Sequence, residues 1–126
     1  MPLLYERKLT EQIIGAAIEV HRFLGPGLLE SAYQACLAQE FAIRGLPFKR
    51  EMPLLIEYKG ATLDCSYRLD YIVGDKVVVE LKAVEAILPV HQAQLVTYLK
   101  LTGCKVGLLI NFNVPVLKNG IKRMVL

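Results

Sequence analysis

The hydrophobic period of this chain changes from helical to alternating and back, and this change limits the possible folds more than any other feature. Three stretches with apolar side chains at helical spacing predict helices at residues 10–24, 28–44 and 89–102. Alternating or short apolar runs predict strands at residues 48–58, 61–73, 76–84, 104–112 and, as an edge strand, 120–126. Two helices, three strands, a helix and a strand predict an α/β sandwich around a mixed sheet.

Turn and cap residues separate these elements. Thr10 is a predicted N-cap for the first helix, and Gly25-Pro26-Gly27 ends it. Gly45 ends the second helix, while Pro89 opens the third and Gly103 ends it. The glycines at positions 60 and 74 predict the turns between the first three strands.

Length and composition exclude several classes of protein. With 126 residues, 54% of them hydrophobic, the chain predicts one domain over residues 1–126 and excludes intrinsic disorder. No apolar run approaches the ~18 residues of a membrane span, and residues 1–12 do not resemble a secretory signal. Three scattered cysteines favour a reducing, cytoplasmic location over a disulfide scaffold. The net charge of +3 permits a polyanionic partner without requiring one.

The hairpin between the second and third strands contains the candidate chemistry, and its register decides the arrangement of the side chains. A two-residue turn at 74–75 would place Asp70 and Glu80 on opposite faces. A three-residue loop at 74–76 pairs Val73 with Val77, and therefore Asp70 with Glu80. Only this second register aligns the apolar residues of the two strands, which are Leu69, Tyr71, Val73, Val77, Val79 and Leu81. We therefore predict the three-residue loop or an equivalent bulge.

In this register two carboxylates and the Lys82 ammonium share one face of the sheet. Opposed carboxylates repel, and Mg²⁺ relieves the repulsion, because it takes one or two carboxylates and retains sites for water and phosphate oxygens. The ion polarises a phosphodiester and lowers the pKa of bound water, while Lys82 could orient that water or stabilise the transition state. An ordinary solvated hairpin face with a Lys–Glu pair is the alternative.

Two pairs of helical residues extend the candidate site. Glu30 and Tyr33 lie on one flank of the second helix, where Glu30 could reach a metal or could be a first-turn glutamate that the helix dipole favours. Gln94 and Tyr98 are an i,i+4 pair in apolar surroundings, which predicts that Gln94 is buried and needs partners. The active centre or a phosphate could supply those partners, or the amide could be purely structural.

These residues resemble a known family. Gly27, Glu30 and Tyr33 match the motif of the GxxExxY proteins, which are grouped with the PD-(D/E)xK nuclease superfamily. The resemblance covers residues 10 to 112 and implies a restriction-endonuclease-like αβββαβ core, with a central mixed β-sheet flanked by helices. Leu69 stands where the superfamily's variable proline would precede the aspartate.

The resemblance also implies roles for individual residues. Asp70 resembles the metal-binding aspartate, Glu80 and Lys82 resemble the ExK element, and Glu30 resembles the helical acid that completes the metal site. Gln94 and Tyr98 are similar to the QxxxY of the recombination-nuclease branch. The implied catalytic set comprises Asp70, Glu80, Lys82, Glu30, Gln94 and Tyr98, with Asp70, Glu80 and Glu30 as the metal ligands. Arg68, predicted to lie opposite Lys82, and Tyr33 are the candidates for contact with nucleic acid.

The residues and the resemblance together predict a Mg²⁺- or Mn²⁺-dependent nuclease. We expect DNA rather than RNA as substrate, with structure- or end-specific cleavage in DNA repair, recombination or defence. The apolar first helix is a candidate interface for a homodimer. The alternative is a module of the same fold with weak or no turnover, which binds nucleic acid or a protein partner.

Overall fold

The computed structural model describes residues 5–126; residues 1–4, the start of the segment expected to contain no secretory signal, lie outside the described part. The helices are α1 (Arg7–Leu24), α2 (Glu30–Ile43) and α3 (Pro89–Thr102). The strands are β1 (Phe48–Tyr58), β2 (Ala61–Val73), β3 (Val77–Lys82), β4 (Val106–Asn111) and β5 (Ile121–Val125), and a short 3-10 helix (Leu117–Gly120) precedes β5. The predicted element order is confirmed.

The carboxyl ends of α1 and α3 agree with the predicted stop signals, whereas the amino end of α1 differs from the prediction. Gly25 and Gly103 cap the carboxyl ends of α1 and α3 through hydrogen bonds to the carbonyls of His21 and Leu99. The predicted N-cap at Thr10 is wrong, because α1 begins at Arg7, one turn earlier. The buried Thr10 hydroxyl instead donates to the Arg7 carbonyl inside the helix.

The five strands form one mixed sheet in the order β1-β2-β3-β4-β5. Strands β3 and β4 are parallel, with Glu80 opposite Leu109, and α3 is the crossover between them. The other neighbouring strands are antiparallel, including the predicted edge strand β5. This sheet with helices on its faces confirms the expected α/β fold and agrees with a restriction-endonuclease-like core. Within residues 5–126 no helix is both long and apolar enough to span a membrane.

A separate hydrophobic core covers each face of the sheet. One core joins α1 and α2 to one face, with Tyr33, Phe41, Tyr71 and Val79 among its members. The other joins α3 to the opposite face, with Leu69, Ile72, Val78, Leu95 and Leu99 among its members. The prediction that Leu69 shares a face with Tyr71 is therefore wrong. Strict alternation fails between them, next to Glu51 of β1, whose φ of 54° interrupts the regular strand geometry.

Two glycines give opposite expectations for alanine substitution. A Cβ at Gly120 would overlap the Asn111 carbonyl oxygen, whereas a Cβ at Gly15 would meet only the flexible end of the Arg44 side chain, at 3.3 Å. We expect Gly120→Ala to lower the free energy of unfolding by roughly 1–3 kcal/mol, because backbone must move. Gly15→Ala, inside α1, should raise it by about 0.5–1 kcal/mol. Urea unfolding of both variants measures this, and equal effects would contradict the placement of Gly120.

Candidate active site

The β2–β3 hairpin adopts the register that the apolar residues predicted. Val73 pairs with Val77 and Tyr71 pairs with Val79, so that Asp70 comes opposite Glu80. The turn between the strands spans residues 74–76 and closes with a 3.1 Å hydrogen bond from the Lys76 amide to the Val73 carbonyl. Gly74 and Asp75 both have left-handed backbone angles, with φ of 60° and 57°. The predicted three-residue loop is confirmed.

At Asp70 and Glu80 the side chains replace the backbone pairing of the hairpin. The Asp70 amide donates to Glu80 Oε1 at 3.0 Å, and the Leu81 amide donates to Asp70 Oδ2 at 2.8 Å. These bonds satisfy backbone groups beyond the last paired residues, Tyr71 and Val79. The two carboxyl groups therefore meet where β2 and β3 separate, and the backbone on either side holds them in place.

Burial disfavours the ionised form of both carboxyl groups, and the charge of Asp70 adds to this effect at Glu80. Glu80 is only 7% exposed, and burial, followed by the Asp70 charge, raises the pKa of the Glu80 carboxyl to about 8. Burial also raises the pKa of Asp70, although the Leu81 amide and the Lys82 charge oppose the shift. A second positive charge at this point would favour the ionised form of both groups. Such perturbed groups cluster at functional sites more often than elsewhere.

Lys82 lies two residues after Glu80 at the end of β3, and the chain around it is anchored to β4. Its carbonyl accepts a 2.9 Å hydrogen bond from the Phe112 amide. The buried Asn111, which pairs with Lys82 across the sheet, holds the next segment by bonds between its amide group and both backbone groups of Val84. Burial raises the pKa of Asp70, Glu80 and Glu30, and the Lys82 charge partly opposes this rise at each of them. The ammonium thus lies within electrostatic range of all three acids, and its catalytic role stays a prediction.

The first turn of α2 brings Glu30 towards the carboxyl pair. Glu30 is the first residue of α2 and is half-buried. Burial, and after it the charge of Asp70, raises the pKa of Glu30. Glu30 therefore lies within electrostatic range of Asp70, although no group of three or more His, Cys, Asp or Glu residues within residues 5–126 is arranged to hold a metal ion. The third-ligand role of Glu30 remains a prediction.

Gln34 contacts Asp70, and the sequence analysis did not identify it. One turn after Glu30, its Nε2 donates to Asp70 Oδ1 at 2.8 Å. The Gln34 carbonyl accepts a hydrogen bond from the buried Tyr71 hydroxyl, which fixes this turn of α2 against β2. The sequence signal that could have identified Gln34 was its i,i+4 spacing from Glu30, which places both side chains on one face of α2. With Leu81, Gln34 engages both oxygens of the Asp70 carboxylate and sets its orientation.

The Gln34 contact predicts that Gln34→Leu impairs the nuclease activity that the sequence resemblance implies, without loss of substrate binding. Without the amide donor the Asp70 carboxylate loses one of its two fixed partners, and such changes typically cost about 10- to 100-fold in activity or metal affinity. We expect this loss in kcat, with KM little changed, in single- and multiple-turnover assays. Gln39→Leu, on the exposed face of the same helix, is the matched control. If both variants behaved alike, Gln34 would have no role in positioning.

On the α3 side of the sheet, Gln94 and Tyr98 line a cavity of about 250 Å³ together with Tyr67 and Leu54. Tyr98 is 6% exposed, and burial, followed by the charge of Glu80, raises the pKa of its hydroxyl to about 12. The sequence predicted that Gln94 is buried; the structure shows it half-buried, because it lines this cavity. The structure thus brings Gln94 and Tyr98 together in one cavity, and Tyr98 lies within electrostatic range of Glu80 and Asp70.

The two candidates for contact with nucleic acid differ in their accessibility. Arg68 is exposed, but it forms an ion pair with Asp64 at 3.2 Å, and the β2–β3 pairing ends before it could oppose Lys82. Tyr33 is fully buried; its hydroxyl donates to the Gly25 carbonyl at 2.6 Å, and its ring stacks on Phe112. The predicted contact of Tyr33 with nucleic acid is therefore wrong. Tyr33 secures the loop between α1 and α2, which leads into Glu30.

A further acid, Glu51, approaches Asp70 from β1. Its charge contributes to the raised pKa of Asp70. Glu51 is exposed and lies between the paired residues Arg50 and Met52, opposite Asp70. No local pattern predicted that Glu51 lies opposite Asp70. The pairing of β1 with β2 shifts at a bulge, where one residue of β1 (Leu54) lies opposite three residues of β2 (65–67), and this shift sets the register.

The donor chemistry at the end of the hairpin fits a hard divalent ion. Asp70 and Glu80 present carboxylate oxygens only, and the charge of Asp70 disfavours the ionised form of Glu80. Mg²⁺ is commonly bound through one or two carboxylates while it retains several waters, so two adjacent carboxylates suffice. The set lacks the thiolate or imidazole ligands that softer metals prefer.

Comparison with known proteins found one family. The model of the PD-(D/E)XK nuclease superfamily matches residues 7–124. No match was found among curated proteins or among solved structures. The matched region includes every candidate site residue named above, and the more specific resemblance to the GxxExxY proteins stays a prediction.

Proposed function

This chain belongs to the PD-(D/E)XK nuclease superfamily, and we propose that it is a metal-dependent nuclease that hydrolyses DNA phosphodiester bonds. The observation that carries this proposal is the pair of adjacent carboxyl groups, Asp70 and Glu80, held by reciprocal bonds to the backbone where β2 and β3 separate. Lys82 lies two residues further along the same strand. Two acids and an ammonium in this arrangement match the chemistry that phosphodiester hydrolysis requires.

Each residue has a proposed role. Asp70 and Glu80 would hold Mg²⁺ or Mn²⁺, with Glu30 as a third ligand through water. When bound, the ion would polarise the phosphodiester and lower the pKa of water. Lys82 would orient the attacking water or stabilise the negative charge that develops on the phosphate. Gln94 and Tyr98 would position the phosphate, and Arg68 would contact a neighbouring phosphate once released from Asp64.

The remaining proposals concern the substrate and its setting. We propose DNA over RNA, and structure- or end-specific cleavage, because a domain this small offers little surface for reading a base sequence. A homodimer through α1, a cytoplasmic location and a role in DNA repair, recombination or defence remain predictions of the sequence.

Cleavage assays with Lys82→Met test the proposed function. Branched, single-stranded and linear DNA, and RNA, would be incubated with Mg²⁺ or Mn²⁺ and with EDTA. We expect metal-dependent cleavage that falls about 10²-fold or more in the variant, since positioned proton-transfer or charge-stabilising groups contribute that much. Lys76→Met is the matched control, because Lys76 is an exposed lysine in the hairpin turn and its ammonium lies 4.0 Å from the Glu6 carboxylate.

The outcomes separate the two candidate functions. Cleavage that survives in Lys82→Met would contradict the assignment of the site. Binding of nucleic acid without cleavage under either metal would favour the alternative, a module of this fold without turnover.

A further inference from the structure

The cavity that Gln94 and Tyr98 line has the composition of a site for a flat heteroaromatic ring. Its walls combine apolar side chains of β1 and α3, Leu54 and Leu101, with the aromatic side chains of Tyr67 and Tyr98. Its volume of about 250 Å³ lies below the ~300–1,000 Å³ typical of sites for drug-sized ligands. An occupant of this size is a single ring system rather than a whole nucleotide chain or a peptide.

One wall of the cavity offers an exposed aromatic ring. Tyr67 is 44% exposed, and it meets Tyr98 edge to face, with ring centroids 6.2 Å apart. In an edge-to-face pair at most one face of either ring is covered, so Tyr98 leaves at least one face of the Tyr67 ring available for stacking. The Tyr67 backbone is itself fixed, because its carbonyl accepts a 2.9 Å hydrogen bond from the Arg68 guanidinium. This arrangement provides a pre-positioned stacking surface with a positive charge next to it.

The cavity is also lined by a polar group that can form hydrogen bonds with the edge of a heteroaromatic ring. The Thr97 hydroxyl is already bound to the Ala93 carbonyl, whereas the Gln94 amide forms no hydrogen bond within residues 5–126. A carboxamide presents two N–H donors and one carbonyl acceptor, which complement the hydrogen-bonding edge of a nucleobase. An aliphatic side chain from a protein partner would leave this group unsatisfied.

We propose that this cavity receives one unpaired nucleobase of the substrate strand, which stacks on Tyr67 and bonds to Gln94. The inference rests on the proposed nuclease function, and it names the substrate class: nucleic acid with a single-stranded or unpaired nucleotide next to the bond that is cleaved. Tyr98 joins the two parts of the site, since it lines the cavity and lies within electrostatic range of Glu80 and Asp70. A base in the cavity would place its own backbone phosphate close to the carboxyl pair.

Equilibrium binding to a fluorescent single-stranded oligonucleotide tests the proposal without requiring cleavage. The anisotropy measurements would use EDTA and compare wild type with Tyr67→Leu, which retains apolar bulk and removes the ring. Loss of one base–aromatic stack should weaken binding about 5- to 100-fold. Tyr58→Leu is the matched control. Tyr58 is a similarly exposed tyrosine (51%) at the end of β1, the strand that pairs with β2, and it lies outside the cavity. An oligonucleotide with one abasic position, moved along the strand, should lose affinity at one register.

Three results would overturn the proposal. Equal effects of Tyr67→Leu and Tyr58→Leu would show that the ring has no special role. Equal affinity for the single strand and its fully paired duplex would show that no unpaired base is needed. A change of sedimentation coefficient in Tyr67→Leu, with unchanged binding, would show that the cavity receives a second copy of the chain. Because the binding measurements are made without metal, they are independent of the cleavage assays. Absence of cleavage in those assays with Mg²⁺ or Mn²⁺ would contradict the nuclease function and leave the binding result intact.

Discussion

Replacement of Asp70 by asparagine is expected to reduce metal-dependent cleavage by on the order of 10³-fold or more. Asparagine preserves the shape of the side chain but removes the charge that a divalent ion requires. Metal-assisted charge stabilisation contributes several kcal/mol to hydrolysis, and each 1.4 kcal/mol corresponds to about tenfold in rate. The carbonyl of the substituted side chain can still accept one of the hydrogen bonds that Asp70 receives from Gln34 and Leu81, so the fold should persist.

Single-turnover cleavage with saturating Mn²⁺, together with thermal unfolding of the same preparation, measures this effect. Asp75→Asn is the matched control: Asp75 is an exposed aspartate in the turn of the same hairpin and has a left-handed φ of 57°, which asparagine also tolerates. A folded Asp70→Asn variant that cleaves within tenfold of wild type would place the metal elsewhere.

The second large effect is a loss of stability as the pH rises in the absence of metal. The pKa of Glu80 is raised by burial and by Asp70 from 4.5 to about 8, so the folded protein retains a proton that the unfolded chain has already lost. The stabilisation is complete below about pH 4.5 and is lost progressively as the pH passes through 8. One such proton changes the free energy of unfolding by about 1.4 kcal/mol per pH unit within this window. The raised pKa values of Asp70 and Glu30 act in the same direction.

Urea unfolding in EDTA at several pH values between 5 and 8.5 tests this expectation. Glu80→Gln should flatten the dependence, since a neutral amide has no proton to lose. Glu57→Gln, an exposed glutamate on β1, should retain the wild-type slope. Mg²⁺ should stabilise the wild type more at pH 8 than at pH 5.5, because protons compete with the ion for the same oxygens. If the free energy of unfolding depended on pH equally in both variants, the raised pKa of a buried Glu80 would be contradicted.

Local patterns predicted much of the site. The bounds of β1 and β2 agree with the predicted strands to the residue, and Gly103 ends α3 as expected. The hairpin register followed from one requirement, that the apolar residues of two adjoining strands share a core, and this requirement placed Asp70 opposite Glu80. These features depend on neighbours in the chain or on a single turn, where side-chain type and backbone conformation are directly linked.

Other features depend on contacts that no local pattern encodes. Leu69 of β2 packs with α3 although alternation assigns it to the opposite core. Alternation in β2 fails next to Glu51 of β1, which adopts a left-handed conformation. The contact from Gln34 to Asp70 requires the docking of α2 on β2, which the Tyr71 hydroxyl secures. Tyr33 matches the GxxExxY motif, but its ring packs on Phe112 in the core, so its role is structural.

The amino-acid sequence by itself determined the elements, their order, and the meeting of two acids beside a lysine, because hydrophobic period and turn chemistry act over a few residues. Only the tertiary structure decided what surrounds these acids. The bulge in β2 sets Glu51 opposite Asp70, α2 supplies Gln34, and α3 encloses the cavity next to Tyr67. Such contacts depend on how whole elements pack, and packing is settled by the combined burial of both cores rather than by any one segment.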